Sequence, residues 1–114
     1  MKSNIDLFNE KRSEIESLII DELLLIKEKH CKNDRFNFDW PTLIETILNI
    51  LASLMVIGTS VYSTWKNEKD KAVNDLKKEN KAIKMSAEEA EEIIKKVFVL
   101  LNIPYPPTNK TEGE

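Results

Sequence analysis

The sequence predicts an all-α protein, on three observations. Apolar residues recur at helical spacing in two separate segments, Phe8/Ile15/Ile19/Leu23/Ile26 and Ala90/Ile93/Ile94/Val97/Phe98/Leu101. Thr42–Glu45 and Ser86–Glu89 both have the form of a capping box, a hydroxyl followed three residues on by Glu ahead of an apolar run. There are only two glycines, Gly58 and Gly113, and no alternating apolar–polar stretch, which excludes a β-rich domain. With 114 residues the chain can form one domain at most.

Residues 1–32 form an amphipathic helical arm. Asn4 is placed to cap a helix of about 25 residues. Phe8, Ile15, Ile19, Leu23 and Ile26 form its apolar face, which Leu18, Leu24 and Leu25 widen. Lys11, Arg12, Glu14, Glu16 and Lys27 cover the other side. Nothing here reads as a cleavable leader, because the charged start has no apolar core. Residues 33–41 form an aromatic connector. Asn33 and Asp34 are turn formers, Phe36, Phe38 and Trp40 alternate, and Pro41 biases Trp40 towards extended backbone.

Residues 42–65 form the central apolar helix. Thr46 to Thr64 carries no ionisable side chain except the Tyr62 phenol. A helix from Leu43 to Trp65 would extend roughly 34 Å at about 1.5 Å per residue. The hydrocarbon core of a bilayer is about 30 Å thick. Trp40 at one end and Tyr62 and Trp65 at the other resemble interfacial aromatic anchors. A transmembrane helix is therefore the first expectation and a buried protein core the second. Thr46, Asn49, Ser53, Val56, Ser60 and Ser63 repeat at spacings of three and four, which aligns them in one seam. In a bilayer such a seam lets helices approach and hydrogen-bond. In a soluble bundle it would be the face turned to water.

Residues 66–103 hold a charged helix and a C-terminal helix, arranged as a helical hairpin or a coiled coil. No breaker follows Trp65, so the central helix is expected to continue into the charged one. Trp65, Ala72, Leu76 and Ile83 mark a thin apolar stripe along it, partly polar at Lys69 and Glu79. The hairpin turn is expected at Lys84–Met85, and the last helix runs from the Ser86 cap to near Asn102. Residues 104–114 form a Pro-rich stop and a polar tail.

Charge and chemistry narrow the function classes. Net charge is −3. Lys66 to Lys84 holds seven lysines against four acids, which leans weakly towards a cytoplasmic C-terminal half for any span. Acids interrupt these lysines and no aromatics are interleaved, so no nucleic-acid partner is expected. The single cysteine, Cys31, permits no intrachain disulfide. Its neighbour His30 points about 100° away on a helix, which is poor geometry for a thiol nucleophile and its base. No phosphate loop, HExxH or EF-hand pattern occurs. The expected catalytic, cofactor-binding and metal-ligand residues are therefore none.

The layout of a marginal span, a lysine-rich helix and the amphipathic segment KAIKMSAEEAEEIIKKVFVLLN resembles the small phage holins, over about Pro41 to Asn102. That resemblance implies a non-enzymatic single-span protein of the inner membrane, self-associating through the central seam and forming pores or complexes. The alternative is a soluble all-α structural or interaction protein, cytoplasmic or virion-associated, with the central helix as its oligomer core. A homo-oligomer is expected on either reading, and a helical protein partner is compatible with both.

Overall fold

The computed structural model describes residues 3–30, 40–56 and 62–105. It is all-helical, with α1 at Asn4–Glu10, α2 at Arg12–His30, α3 at Trp40–Met55, α4 at Tyr62–Glu79 and α5 at Ala87–Leu100. A short 3₁₀ turn, Lys81–Ile83, joins the last two. No strand occurs among the described residues. Most of the expected connector (33–39), the seam residue Ser60 and most of the tail lie outside them.

The expected N-terminal helix is two helices bent at Lys11. Its cap is Ser3, not Asn4. Ser3 Oγ accepts the Asp6 N–H at 3.3 Å, and the Asp6 carboxylate accepts the Ser3 N–H at 3.4 Å. A Ser with an acid three residues later can bond reciprocally, whereas Asn4 has Leu7 at that position. The chain bends at Lys11 (φ −104°, ψ 20°) without losing its ladder: Lys11 N–H reaches Leu7 O and Ile15 N–H reaches Lys11 O.

The central helix does not continue into the charged one. α3 ends at Met55, and α4 opens at Tyr62 and packs back along α3. At 16 residues α3 is about 24 Å long, short of the roughly 30 Å hydrocarbon core. No helix of the described residues is long and apolar enough to cross a membrane. α3 also begins two residues before its expected cap, Thr42. Pro41 fits the first turn because its missing N–H would be unpaired there anyway.

The helices close a circuit, α2 against α3, α3 against α4, α4 against α5, and α5 back against α2, with α1 laid on α3. The apolar stripes meet inside. Ile15, Ile19 and Leu23 of α2, Ile47, Leu48 and Leu51 of α3, Leu76 of α4, and Ile93, Ile94, Val97 and Phe98 of α5 are all buried. The bundle is a slab of 47 × 29 × 18 Å. Helix axes pack about 8–10 Å apart, so the thin dimension holds two layers. Leu24 and Leu25, expected to widen the buried face of α2, stay exposed.

The hairpin α4–α5 forms where the second capping box predicts it. Ser86 Oγ accepts Glu89 N–H at 3.0 Å, and the Glu89 carboxylate accepts Ser86 N–H at 2.9 Å. The turn before it ends on Lys84 in the left-handed region (φ 60°, ψ 40°), with Lys84 N–H on Lys81 O and Met85 N–H on Asn80 O. α5 ends on the same motif, with Asn102 at φ 59°, its N–H on Val99 O, and Ile103 N–H on Phe98 O. Asn tolerates this conformation; a lysine Cβ does so at a cost of about 1 kcal/mol. Lys84→Gly is therefore expected to stabilise the fold by about 0.5–1 kcal/mol, and Asn102→Gly by less. Urea melts of the two variants check this.

Candidate functional site

Three polar features ring the core. The first is a groove of about 370 Å³ between α3 and α4. Thr46, Asn49 and Ser53 of the predicted seam line one side, and Glu68, Lys71 and Asp75 of α4 line the other. The structure thus brings half of the seam against the chain's own charged helix. Two of its hydroxyls are already used: Thr46 Oγ1 donates to Thr42 O and Ser53 Oγ to Asn49 O, each at 3.0 Å. Such back-bonding is how Ser and Thr satisfy themselves inside a helix. Val56 and Ser63 are exposed beyond the groove.

The predicted anchors go to three different environments. Tyr62 is exposed, Trp40 is half-buried against the core, and Trp65 is 3% exposed. Trp65 sits in an aromatic cluster, 5.3 Å from Phe98 and 5.7 Å from Tyr105, with Phe98 and Tyr105 5.4 Å apart and edge-on. Edge-to-face packing of this kind adds to burial. Trp65 is therefore a core residue of the α4–α5 hairpin.

The second feature caps this cluster. Glu91 accepts from Tyr105 Oη at 2.9 Å and from Lys69 Nζ at 3.1 Å. Lys69 is one of the two polar members of the thin stripe on α4, and here it meets its counter-ion. Burial acts to raise the Glu91 carboxyl, but the Lys69 ammonium and the Tyr105 hydroxyl outweigh it and hold the group below the usual range. Burial acts to lower Lys69, and Glu91 with Asp70 pushes it up. Tyr105 is raised by burial and by the Glu91 charge.

The third feature joins α2 to α5. His30 Nε2 lies 3.0 Å from Glu89, and Lys29 Nζ lies 3.7 Å from the same carboxylate. Burial acts to raise Glu89, but the Ser86 N–H and the His30 ring leave it lowered. Further along, Lys96 Nζ donates to Glu22 at 2.9 Å. These two links, 30 with 89 and 22 with 96, make α2 and α5 antiparallel. Arg12 ties α2 to α3 through Glu45 at 3.0 Å.

His30 is engaged by Glu89, and its sequence neighbour Cys31 lies outside the described residues. Among the described residues no group of three or more His, Cys, Asp or Glu side chains is placed to hold a metal. Asn80 is a buried residue the sequence did not flag. Its Nδ2 donates to Leu76 O at 2.8 Å, while Oδ1 has no hydrogen-bond partner among the described residues. No family model, no curated protein and no solved structure matches the chain.

The charge pairs set the pH response. Glu89 and Glu91 are both lowered, so their stabilisation is present above the unfolded carboxyl pKa of about 4.3 and is lost as pH falls through their folded values. Lys69 and Tyr105 are raised, so their contribution is present below about pH 10 and is lost as pH climbs further. The Tm should plateau between these limits. Glu91→Gln should flatten both flanks, since it removes the partner of Lys69 and Tyr105. Melting curves across the pH range measure this directly.

Proposed function

We propose that this chain is a small non-enzymatic docking protein, a helical bundle that acts by binding another protein through its outer helices. The observation that carries this reading is the fate of α3. Its entire apolar stripe, Ile44, Ile47, Leu48, Leu51, Leu54 and Met55, is covered by the chain's own helices. A helix that finds its cover inside its own bundle does not need lipid for it. Large apolar side chains remain exposed elsewhere, with Leu24, Leu25 and Val99 on α2 and α5, and exposed apolar clusters rimmed by charge favour protein contacts.

A second reading keeps the holin-like single span in the inner membrane, assembling through Asn49 and Ser53. It is favoured by the uncharged run from Thr46 to Thr64, with aromatic residues at its ends. On that reading the stripe turns outward to lipid or to other copies, and Asn49→Leu weakens the oligomer without affecting insertion.

The two readings part in one experiment. Cells expressing the tagged chain are lysed, and the membranes are floated and washed with carbonate. The docking reading expects extraction without detergent and a cooperative melt. It also expects Leu51→Ala, which empties a fully buried site, to cost about 2–5 kcal/mol. Retention in the washed membranes, with an unchanged melt for the Leu51 variant, overturns it.

A further inference from the structure

The outer face formed by α2 and α5 carries two adjoining hollows. One, of about 180 Å³, lies between Glu22, Leu25, Ile26, Lys29 and Glu89, with Glu92 at its edge. The other, of about 320 Å³, is floored by Leu18, Val99 and Leu100, with Glu92, Lys95 and Lys96 around it. Glu92 borders both, so they form one continuous surface. Leu25 is 61% and Val99 63% exposed, and each stands in one of the hollows.

We infer that this face binds a second copy of the same chain, related by a two-fold axis that crosses α5 between Glu92 and Lys95. The charge order along α5 selects this partner. Its outward side is acidic in the first half, at Glu88 and Glu92, and basic in the second, at Lys95 and Lys96. Two such helices laid antiparallel about that axis set Glu92 against Lys95 on both sides of it, whereas a parallel pairing sets like against like. Neither Glu92 nor Lys95 makes an ion pair among the described residues, while Lys96 is held by Glu22 and Lys29 by Glu89. Glu92 and Lys95 are the acid and base nearest the axis, and the symmetry brings them together. The apolar parts follow the same operator. By the links of 30 with 89 and 22 with 96, Leu25 stands at the height of the axis and meets its own copy, while Val99 lies over the first half of the partner's α5. Such a self-complementary patch is what a two-fold interface requires.

The footprint limits the strength. The two helices run together for about 21 Å along α5, and a pair of helices is about 20 Å wide, so each copy contributes roughly 400 Å² of flat area. That is below the about 800 Å² per partner of standard interfaces, which makes the dimer a reversible one seen at high protein concentration. The inference rests on the docking reading and gives its partner.

The test is sedimentation velocity of the full chain, extracted without detergent, over about a hundredfold range of concentration. The wild type is expected to shift from monomer to dimer. Glu92→Lys and Lys95→Glu should each be monomeric alone, and an equimolar mixture of the two should dimerise, because both cross-pairs are then opposite in sign. Leu25→Glu should abolish the dimer while leaving the Tm unchanged, since the residue lies outside the core. A wild type that stays monomeric, or single-charge variants that dimerise as well as the wild type, overturns the interface and leaves the docking reading standing. A chain that cannot be extracted overturns the docking reading itself.

Discussion

The fold depends on covering the apolar stripe of α3. This helix is the most hydrophobic part of the chain and carries no lysine or arginine, so it cannot be left facing water. α4 covers it from one side, and α1 and α2 contribute from the other. α4 alone would be a poor helix to bury, since it is highly charged and has only Trp65, Ala72, Val73 and Leu76 to offer. α5 supplies the remaining apolar surface to both α4 and α2. Each stripe is too narrow to form a core in isolation, and the closed circuit of four makes all of them sufficient at once. Removing any one helix exposes the stripes of its two neighbours.

The charged links do a different job. Lys69–Glu91, Lys96–Glu22, His30–Glu89 and Arg12–Glu45 lie at the edges of the slab, where an ion pair contributes at most about 1 kcal/mol. They connect different helices at specific heights, however, and a sliding error of one turn would break them. Burial sets which faces meet, and the pairs set how far along each helix the meeting occurs. Glu91 also holds Tyr105 against Trp65 and Phe98.

Local signals in the sequence read through well. The Ser86–Glu89 box, the apolar face of α5, the buried positions of α2 and the stripe on α4 all follow from periodicity and capping chemistry. What failed to read through depends on contacts distant in sequence. The charge-poor run from Trp40 to Lys66 looks like one long helix because its pattern is compatible with one. In the fold α3 ends at Met55 and α4 packs back along it. Trp65 resembled an anchor because aromatic residues at the end of an apolar run suit an interface; the partners that bury it, Phe98 and Tyr105, stand more than thirty residues away. Half of the predicted seam does share a groove, but its opposite wall is the chain's own α4, which a one-dimensional pattern cannot reveal. The His30–Glu89 pair spans 59 residues, and neither residue's neighbours announce it.

Asn80 Oδ1, which has no partner among the described residues, bears on the stability of the corner between α4 and α5. Once the 3₁₀ turn beside it is packed against α2, Asn80 is 1% exposed and the oxygen has lost its solvent. An unmet buried acceptor costs about 1–3 kcal/mol. The corner at Asn80 is thus a place where the packed bundle gives up stability, and opening it to water returns part of that energy.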